Sequence, residues 1–279
     1  MQELSIKSFA KINLGLNIIS KRDDGYHNLQ TIFFPIGLYD IITIKKSNYF
    51  SFTTNDRELL NDRNNLILKA HKLLEESTGR ELICEIHLQK NIPIGAGLGG
   101  GSSNAANVLK ALNEFFSLEI DSVKLSEIAL ELGSDVPLFL SKLPAYAESR
   151  GEKLYPVKLV VKGFLLVVNP GIHISTKSAF SKIIPKLPEH SLKDLIINSE
   201  IKFEEVVKYA TNDFEAIVFE ELPIIKEIKD RMIQFGSVFS QMTGTGSTVF
   251  GFFEDEVTAN QAELFFRCKN YFTYLERLS

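Results

Sequence analysis

A run of small residues at positions 93–103 constrains this 279-residue chain more than any other segment. It holds five glycines within seven residues, followed by two serines, and carries no charged side chain. Residues 81–89 before it alternate apolar and polar like a half-buried strand, and residues 102–116 after it place apolar side chains at helical spacing. This order brings backbone N–H groups and the positive end of a helix dipole together. The pattern predicts a phosphate-binding loop; a flexible linker is the alternative.

The type of phosphate loop is narrowed by what surrounds the glycines. No lysine follows them, which excludes a Walker loop. Gly95, Gly97 and Gly100 formally match the dinucleotide fingerprint, but any glycine-rich run does so. That fingerprint also needs a second strand ending in an acidic residue, whereas Glu119 and Asp121 lie in a polar stretch. A hydride-transfer enzyme therefore remains only as an alternative.

Composition excludes several other classes of protein. A net charge of −4 argues against a nucleic-acid partner and requires any anionic ligand to be held by local groups. Cys84 and Cys268 stand far apart, which predicts no disulfide or metal cluster, and Cys84 falls on the apolar face of a strand as a core thiol. No signal peptide or membrane-spanning apolar run is recognisable, so we expect a cytoplasmic enzyme with no membrane partner.

Periodicity along the chain predicts mixed secondary structure. Strands are expected at 5–19 (interrupted near Lys11), 31–36, 40–45, 81–89, 145–148, 164–168, 238–242 and 248–253, and helices at 64–76, 102–116, 125–132, 222–235 and 259–267. The early strands follow one another without helices between them, which favours an α+β fold over a doubly wound sheet. The best domain boundary lies just before the buried strand at 164–168, giving domains 1–157 and 158–279.

Three segments in order resemble the GHMP kinases. Residues 93–103 resemble the ATP loop of that family, Ala-Lys-Ile-Asn-Leu at 10–14 its N-terminal motif, and Met-Thr-Gly-Thr-Gly-Ser at 242–247 its C-terminal glycine loop. Residues 24–31 and Gly-Ser-Asp-Val-Pro at 133–137 resemble the members whose acceptor carries a cytidine diphosphate group. The resemblance runs nearly end to end and is weakest at 181–207.

This resemblance implies a two-lobed GHMP-kinase-like fold. Its N-terminal lobe, 1–157, would be ribosomal-protein-S5-like and bind ATP, and its C-terminal lobe, 158–279, would be ferredoxin-like. The implied activity is ATP-dependent phosphorylation of an alcohol on a small-molecule cytidine diphosphate substrate, by a monomer or weak dimer. Another small-molecule member such as a homoserine kinase, and a non-catalytic anion-binding protein, remain alternatives.

The resemblance also marks the nucleotide site. The implied residues are Pro93, Ile94, Gly95, Ala96, Gly97, Leu98, Gly99, Gly100, Gly101, Ser102 and Ser103, with Asn65 and Lys90 bordering the adenine and triphosphate. Mg²⁺ is expected because the triphosphate charge must be neutralised, and Ser103 is the expected nearest hydroxyl. No acidic metal ligand is evident, so no protein metal ligand is predicted.

Lys11 and Asp135 are the predicted catalytic pair, and for Asp135 the prediction depends on the resemblance of Gly-Ser-Asp-Val-Pro to the family segment that bears the catalytic aspartate. Phosphoryl transfer needs charge neutralisation and a group that accepts the hydroxyl proton. Asp135 would take the proton, while Lys11 would pair with Asp135 and with the migrating phosphate. The alternatives are that Lys11 is a surface lysine, and that Asp135 only caps the helix that begins near Val136-Pro137.

The remaining predicted residues concern the acceptor. The resemblance assigns the base to Tyr26, His27 and Phe180, the diphosphate to Ser175 and Thr176, the rest of the acceptor to Asn13, and a second phosphate-facing loop to Thr243, Gly244 and Thr245. The alternatives are ordinary packing of Tyr26, a solvated His27, and a plain hairpin turn at 243–247.

Overall fold

The computed structural model describes residues 3–62 and 64–278. The described strands are β1 (Glu3–Lys21), β2 (His27–Lys46), β3 (Ser51–Thr54), β4 (Cys84–Gln89), β5 (Ala145–Ser149), β6 (Lys153–Pro156), β7 (Lys158–Leu159), β8 (Gly163–Asn169), β9 (Glu200–Ile201), β10 (Phe239–Met242), β11 (Val249–Phe253) and β12 (Phe272–Leu278). The described helices are α1 (Arg57–Asn61), α2 (Leu66–Thr78), α3 (Gly100–Phe115), α4 (Ser122–Leu132), α5 (Thr176–Lys182), α6 (Phe203–Tyr209), α7 (Phe214–Glu221), α8 (Pro223–Gln234) and α9 (Glu256–Cys268). Short 3₁₀ turns lie at Pro137–Leu140 and Leu192–Leu195.

The described residues divide into two compact units. The first contains the chain up to Ala10 together with Ile36–Ile94 and Gly99–Lys142. The second contains Lys11–Pro35, Gly95–Leu98 and the chain from Leu143 onward. The domain boundary at 157/158 stays a prediction.

The first unit places the predicted strand, loop and helix in sequence. β4 pairs antiparallel with the end of β2, from Ile41 opposite Gln89 to Lys46 opposite Cys84, and parallel with β3. Helices α2, α3 and α4 pack on one another. Their shared apolar face comprises the buried residues Ile67, Ala70, Leu74, Ala105, Val108, Leu109, Leu112, Leu125, Ile128 and Ala129. The start of α3 is thus held on a packed layer of apolar side chains.

The second unit is built on a four-stranded antiparallel sheet with the order β10-β11-β8-β12. Its core combines sheet residues with residues from helices α5 and α7–α9 and from β1. The largest buried side chains of this cluster are Phe214, Phe253 and Phe266. The unit also contains the start of β2, which pairs antiparallel with β5. Because β10 and β11 are antiparallel neighbours, the second glycine loop joins them at one end of this core.

The mixed helix and strand content agrees with the predicted α+β class, but several elements differ from the sequence pattern, among them β1, β2 and β12. β1 is continuous through Lys11, because the Lys11 amide donates to the Leu98 carbonyl at 3.0 Å and the side chain is buried. The two strands predicted at 31–36 and 40–45 form one strand, β2, which runs through Gly37. β12 was not predicted, since its residues lack a clear alternation, and it gains its place by pairing along β8.

Cys84 is fully buried, which confirms its prediction as a core thiol. Burial raises the pKa of this thiol to about 12, and the nearby Glu75 carboxylate adds to the shift. Over residues 3–62 and 64–278, no helix has both the length and the apolar character needed to cross a bilayer.

Candidate active site

The glycine-rich loop has an alternating backbone conformation. Gly95, Gly97 and Gly99 have φ angles of +63°, +76° and +71°, in the left-handed region where a side chain is strained. Turns that alternate in this way direct successive N–H groups toward one concave side, which is an anion-binding arrangement. The loop conformation therefore depends on glycine at alternate positions.

Helix α3 begins with open backbone donors. Its first intrahelical hydrogen bond runs from the Ser103 amide to the Gly99 carbonyl at 2.9 Å. Within the described residues, the amides of Gly100, Gly101 and Ser102 have no backbone acceptor outside the helix, as expected for the first turn. Gly101 is exposed and Ser102 is partly exposed. These amides at the positive end of a 16-residue helix form a potential phosphate site.

Gly97 packs against the second glycine loop, and replacing it tests the loop conformation. A Cβ on Gly97 would overlap the Thr243 carbonyl oxygen and lie 3.2 Å from that of Gly246. We expect Gly97→Ala to lower the free energy of unfolding by at least about 2 kcal/mol, measured by denaturant unfolding, because φ strain and overlap add. Gly79→Ala is the control, since Gly79 also has a positive φ of +63° but open space around its Cβ. Equal losses in the two variants would contradict the predicted overlap.

Lys11 lies in a buried polar cluster of the second unit, not on the surface. Its Nζ donates to Asn13 Oδ1 at 2.7 Å and to the Gly97 carbonyl at 2.9 Å, and it lies 5.5 Å from the Phe33 ring centroid. Thr243 Oγ1 accepts from the Asn13 amide at 2.9 Å and donates to Asn13 Oδ1 at 3.2 Å. The structure thus unites residues from three distant motifs around one ammonium group.

Asn13 is also buried, and its side-chain amide is bonded on both sides. Its Nδ2 donates to Thr31 Oγ1 at 2.9 Å, and the Thr31 hydroxyl donates to the Gly15 carbonyl at 2.6 Å. Asn13 Oδ1 accepts from Lys11, as given above. This arrangement holds the Asn13 oxygen toward the ammonium, so Asn13 orients Lys11. Its predicted contact with an acceptor stays a prediction.

The loop between β10 and β11 is a hairpin connection with buried hydroxyls, and its predicted role toward a phosphate stays a prediction. Asn212 Nδ2 donates to the Met242 carbonyl at 2.7 Å and to the Gly244 carbonyl at 2.9 Å. The Thr245 side chain is buried, and its hydroxyl lies 3.5 Å from that of Thr176. Asn212, which the sequence pattern did not single out, therefore anchors the second glycine loop.

The predicted stacking residues divide into a buried pair and an exposed ring. His27 is 9% exposed, which contradicts a solvated turn residue, and its ring centroid lies 5.3 Å from that of Phe180. Burial lowers the pKa of His27, and the charge of Lys21 lowers it further. Tyr26 is 53% exposed, and the guanidinium carbon of Arg150 lies 4.8 Å from its ring centroid. A flat exposed ring of this kind can accept a base.

Ser175 and Thr176 lie at the start of α5, where the Ser175 hydroxyl already has a hydrogen-bond partner. Ser175 is the N-cap of α5, and its hydroxyl accepts from the Ser178 amide at 3.3 Å. This cap is a sufficient local reason for a serine at that position. Their predicted role toward a diphosphate stays a prediction.

Asp135 does not act as a helix cap. It follows Gly133, the C-cap residue of α4, and precedes the 3₁₀ turn Pro137–Leu140, which has Val136 as its N-cap and no side-chain capping bond. Asp135 is partly exposed. The capping alternative is therefore wrong, and the carboxylate remains available for chemistry.

Three predicted nucleotide residues are bonded within the first unit. Asn65 caps α2 by accepting from the Ile67 amide at 2.9 Å. Lys90 Nζ forms an ion pair with Asp40 Oδ2 at 2.5 Å, and burial lowers its pKa while Asp40 opposes the shift. Ser103 is fully buried and donates through Oγ to the Phe9 carbonyl at 2.6 Å. This geometry disfavours the Ser103 hydroxyl as a metal-facing group.

Comparison with known proteins identifies the family. The model of the GHMP kinases N terminal domain matches residues 65–142, and that of the GHMP kinases C terminal matches residues 192–271. The chain is 42% identical over 262 residues to the 4-diphosphocytidyl-2-C-methyl-D-erythritol kinase of Bacteroides thetaiotaomicron, covering 91% of this chain and 93% of the relative. The chain belongs to the GHMP kinase family. It is thus an ATP-dependent small-molecule kinase, as the loop motifs predicted.

Further similarities extend over whole chains. The kinase of the same name from Chlorobium limicola is 42% identical over 271 residues, covering 96% of this GHMP kinase and 94% of the relative. A crystal structure of 4-(cytidine 5'-diphospho)-2C-methyl-D-erythritol kinase superposes with a TM-score of 0.81 at 32% identity, covering 98% of each chain. A crystal structure of a homoserine kinase from Cytophaga hutchinsonii superposes with a TM-score of 0.68 at 16% identity, covering 99% of this chain and 94% of that chain. At this identity the similarity shows the shared fold alone. The GHMP kinase fold predicted from the sequence is confirmed.

Besides Asn212, Arg150 and Asp40 of this GHMP kinase were not identified by the sequence analysis. Asp40 is an isolated charge in the sequence and Arg150 lies in a charged turn, and neither belongs to a recognised motif. Arg150 directly follows β5, and β2, the partner of β5, begins directly after Tyr26. Pairing of these two strands therefore brings Arg150 near Tyr26, and the signal was the pairing and not the residue itself. Asp40 lies among apolar residues of β2, and this buried context was the available signal.

Proposed function

We propose that this GHMP kinase transfers the γ-phosphate of ATP to the 2-hydroxyl of 4-diphosphocytidyl-2-C-methyl-D-erythritol, a step of isoprenoid precursor biosynthesis. The observation that carries the proposal is the similarity over more than 90% of both chains to relatives named for that acceptor. The buried His27–Phe180 pair and the exposed ring of Tyr26, the residue before His27, support it, because aromatic faces suit a pyrimidine base. We place the enzyme in the cytoplasm as a monomer or weak dimer.

Asp135 acts as the general base in this proposal. Its carboxylate accepts the proton of the 2-hydroxyl while the hydroxyl oxygen attacks the γ-phosphorus and ADP leaves. Partial exposure and the absence of a capping bond leave the carboxylate free to receive this proton.

Lys11 supplies positive charge to the reaction. Its ammonium is fixed by Asn13 Oδ1 and the Gly97 carbonyl, so little reorganisation is needed as negative charge develops on the transferring phosphoryl group. The nearly complete burial of Lys11 strengthens this electrostatic effect, since water screens the charge less.

The nucleotide binds at the glycine-rich loop and the start of α3. The amides of Gly100, Gly101 and Ser102 donate to phosphate oxygens. Mg²⁺ would enter with the nucleotide and neutralise part of the triphosphate charge. The Ser102 hydroxyl, a partly exposed oxygen group of the first unit, suits this hard cation. Ser103, the hydroxyl expected from the sequence, is buried and donates to the Phe9 carbonyl instead.

A coupled ADP-release assay with separate acceptors tests the proposed function. We expect turnover with the cytidine diphosphate compound and none with homoserine or mevalonate. Turnover with homoserine alone would support the alternative member of the family. ATP binding without turnover on any acceptor would support a non-catalytic protein, and either result would overturn the proposal.

The lowered pKa of His27 predicts how acceptor binding depends on pH. The neutral imidazole suits the contact with Phe180, and burial makes the charged form harder to reach. We expect the KM of the acceptor to be constant from pH 8 to about 6.5, the ordinary pKa of histidine, and to rise only below it. Steady-state kinetics from pH 5 to 8 measure this, with His27→Gln as the non-titrating control. A rise in KM above pH 6.5 that the control lacks would contradict it.

A further inference from the structure

A buried carboxylate joins the two ends of the glycine-rich loop. Asp40 lies on β2 with no exposed surface. Its Oδ1 accepts from the Asn91 amide at 2.7 Å and the Ile92 amide at 2.8 Å. Its Oδ2 accepts from Lys90 Nζ at 2.5 Å and from Asn104 Nδ2 at 2.9 Å. Three donors thus come from the segment before the loop, and the fourth comes from the start of the helix after it.

The helix end of this connection is tied to a further element. Asn104 Nδ2 also lies 3.0 Å from Ser8 Oγ, and the Ser8 hydroxyl lies 2.8 Å from that of Ser103. Ser103 in turn donates to the Phe9 carbonyl. The first turns of α3 are therefore bonded to β1 and, through Asp40, to β2. These contacts fix the helix start in position and in rotation.

The loop needs such external support. Ordering a glycine costs more conformational entropy than ordering any other residue. The loop positions with positive φ are glycines, so they have no side chains that could pack and hold the loop in place. Lys90 also lies directly against Gly100, where a Cβ would be 2.9 Å from Nζ. A buried ion pair is weak evidence for stability, because apolar residues of similar volume often stabilise as well. Asp40 therefore matters for the position of the segments before and after the loop, which it bonds, more than for stability.

We infer that Asp40 is a positioning residue for nucleotide binding: it holds the entry and exit of the glycine-rich loop at a fixed separation and orientation. The inference rests on the proposed function, in which the amides at the start of α3 bind the phosphates of ATP. Asp40 has no exposed surface for a substrate to contact. It acts through Asn91, Ile92, Lys90 and Asn104, and its loss allows the segment before the loop and the helix start to shift apart.

The test compares Asp40→Asn with a control on the same helix. Asn113 bonds the backbone N and O of Ile120 at the far end of α3, so Asn113→Ala loses two hydrogen bonds without touching the loop. We expect Asp40→Asn to raise the Kd and KM for ATP at least tenfold while the KM of the acceptor changes less than threefold. Asn113→Ala should leave both KM values unchanged. Equal ATP affinity in Asp40→Asn and the native enzyme would overturn the inference.

Asn104→Ala kinetics and hydrogen exchange test the inference if Asp40→Asn does not fold or if ATP does not bind. If Asp40→Asn does not fold, Asn104→Ala replaces it, since that change removes the exit contact and leaves the entry contacts in place; an unchanged KM for ATP then overturns the inference. Hydrogen exchange of the amides at 99–102 needs no nucleotide, and we expect faster exchange in Asp40→Asn than in Asn113→Ala. Unchanged exchange overturns the inference even if ATP does not bind. Failure of the native enzyme to phosphorylate the cytidine acceptor would instead overturn the proposed function.

Discussion

Replacement of Asp135 with Asn is expected to lower kcat by about 10²- to 10⁴-fold while the Kd for ATP stays within about threefold. The amide cannot accept the hydroxyl proton, yet it keeps the size and polarity of the side chain. The backbone amides that we assign to the phosphates are not altered. Because Asp135 caps no helix, the change should also leave the thermal midpoint nearly the same. Single-turnover kinetics and a separate ATP titration measure the two effects.

Glu131→Gln provides the matched control for this prediction. Glu131 is exposed near the end of α4, four positions before Asp135, and loses the same charge. We expect unchanged kcat in that variant. A kcat for Asp135→Asn within about threefold of the native value would remove Asp135 from the chemistry and leave another group to accept the proton.

Lys11→Met should have the second largest effect, with kcat reduced by about 10²-fold or more. Methionine fills a similar volume without charge, so the developing negative charge loses its fixed partner. Asn13 Oδ1 and the Gly97 carbonyl also lose a buried donor, which should cost about 1–3 kcal/mol of unfolding free energy. Because Gly97 belongs to the phosphate loop, we expect weaker ATP binding as well, which distinguishes Lys11→Met from Asp135→Asn.

Lys45→Met is the control for the loss of a lysine. Lys45 lies on β2, and its ammonium pairs with Glu3 at 3.6 Å on an exposed surface. An exposed ion pair contributes little to stability, so the unfolding free energy should change by less than about 1 kcal/mol. We expect kcat to stay at the native value. If Lys11→Met keeps native kcat and loses only stability, Lys11 is a structural residue of the loop and not part of the transfer.

The glycine loop and its helix were predictable because their signal is local. Glycines at alternate positions, the alternation before them and the helical spacing after them are properties of neighbouring residues. The same holds for the α8 helix and for the buried strand β8. The unbroken path of β1 was not predictable, since the polar requirements of Lys11 are met by Leu98, Gly97 and Asn13 acting together.

The roles of Asp40 and Arg150 could not be predicted from neighbouring residues, because their partners are distant in the chain. A single Asp within a strand has no periodic signature, and its four donors come from segments about fifty and sixty residues away in the chain. The roles of Lys11 and Asp135 in the reaction stay predictions for the same reason, because a role depends on the bound substrate as well as on the residue. Motif order alone, however, was sufficient for the family.

By itself, the sequence determined the kinase family, the α+β class and the position of the phosphate loop, because these depend on residue types at short, fixed spacings. Only the tertiary structure decided which side chains hold that loop, which hydroxyls are already bonded, and which rings meet. Those outcomes depend on burial and on partners distant in the chain, and hydrogen bonds between such partners form only after the strands and helices have packed.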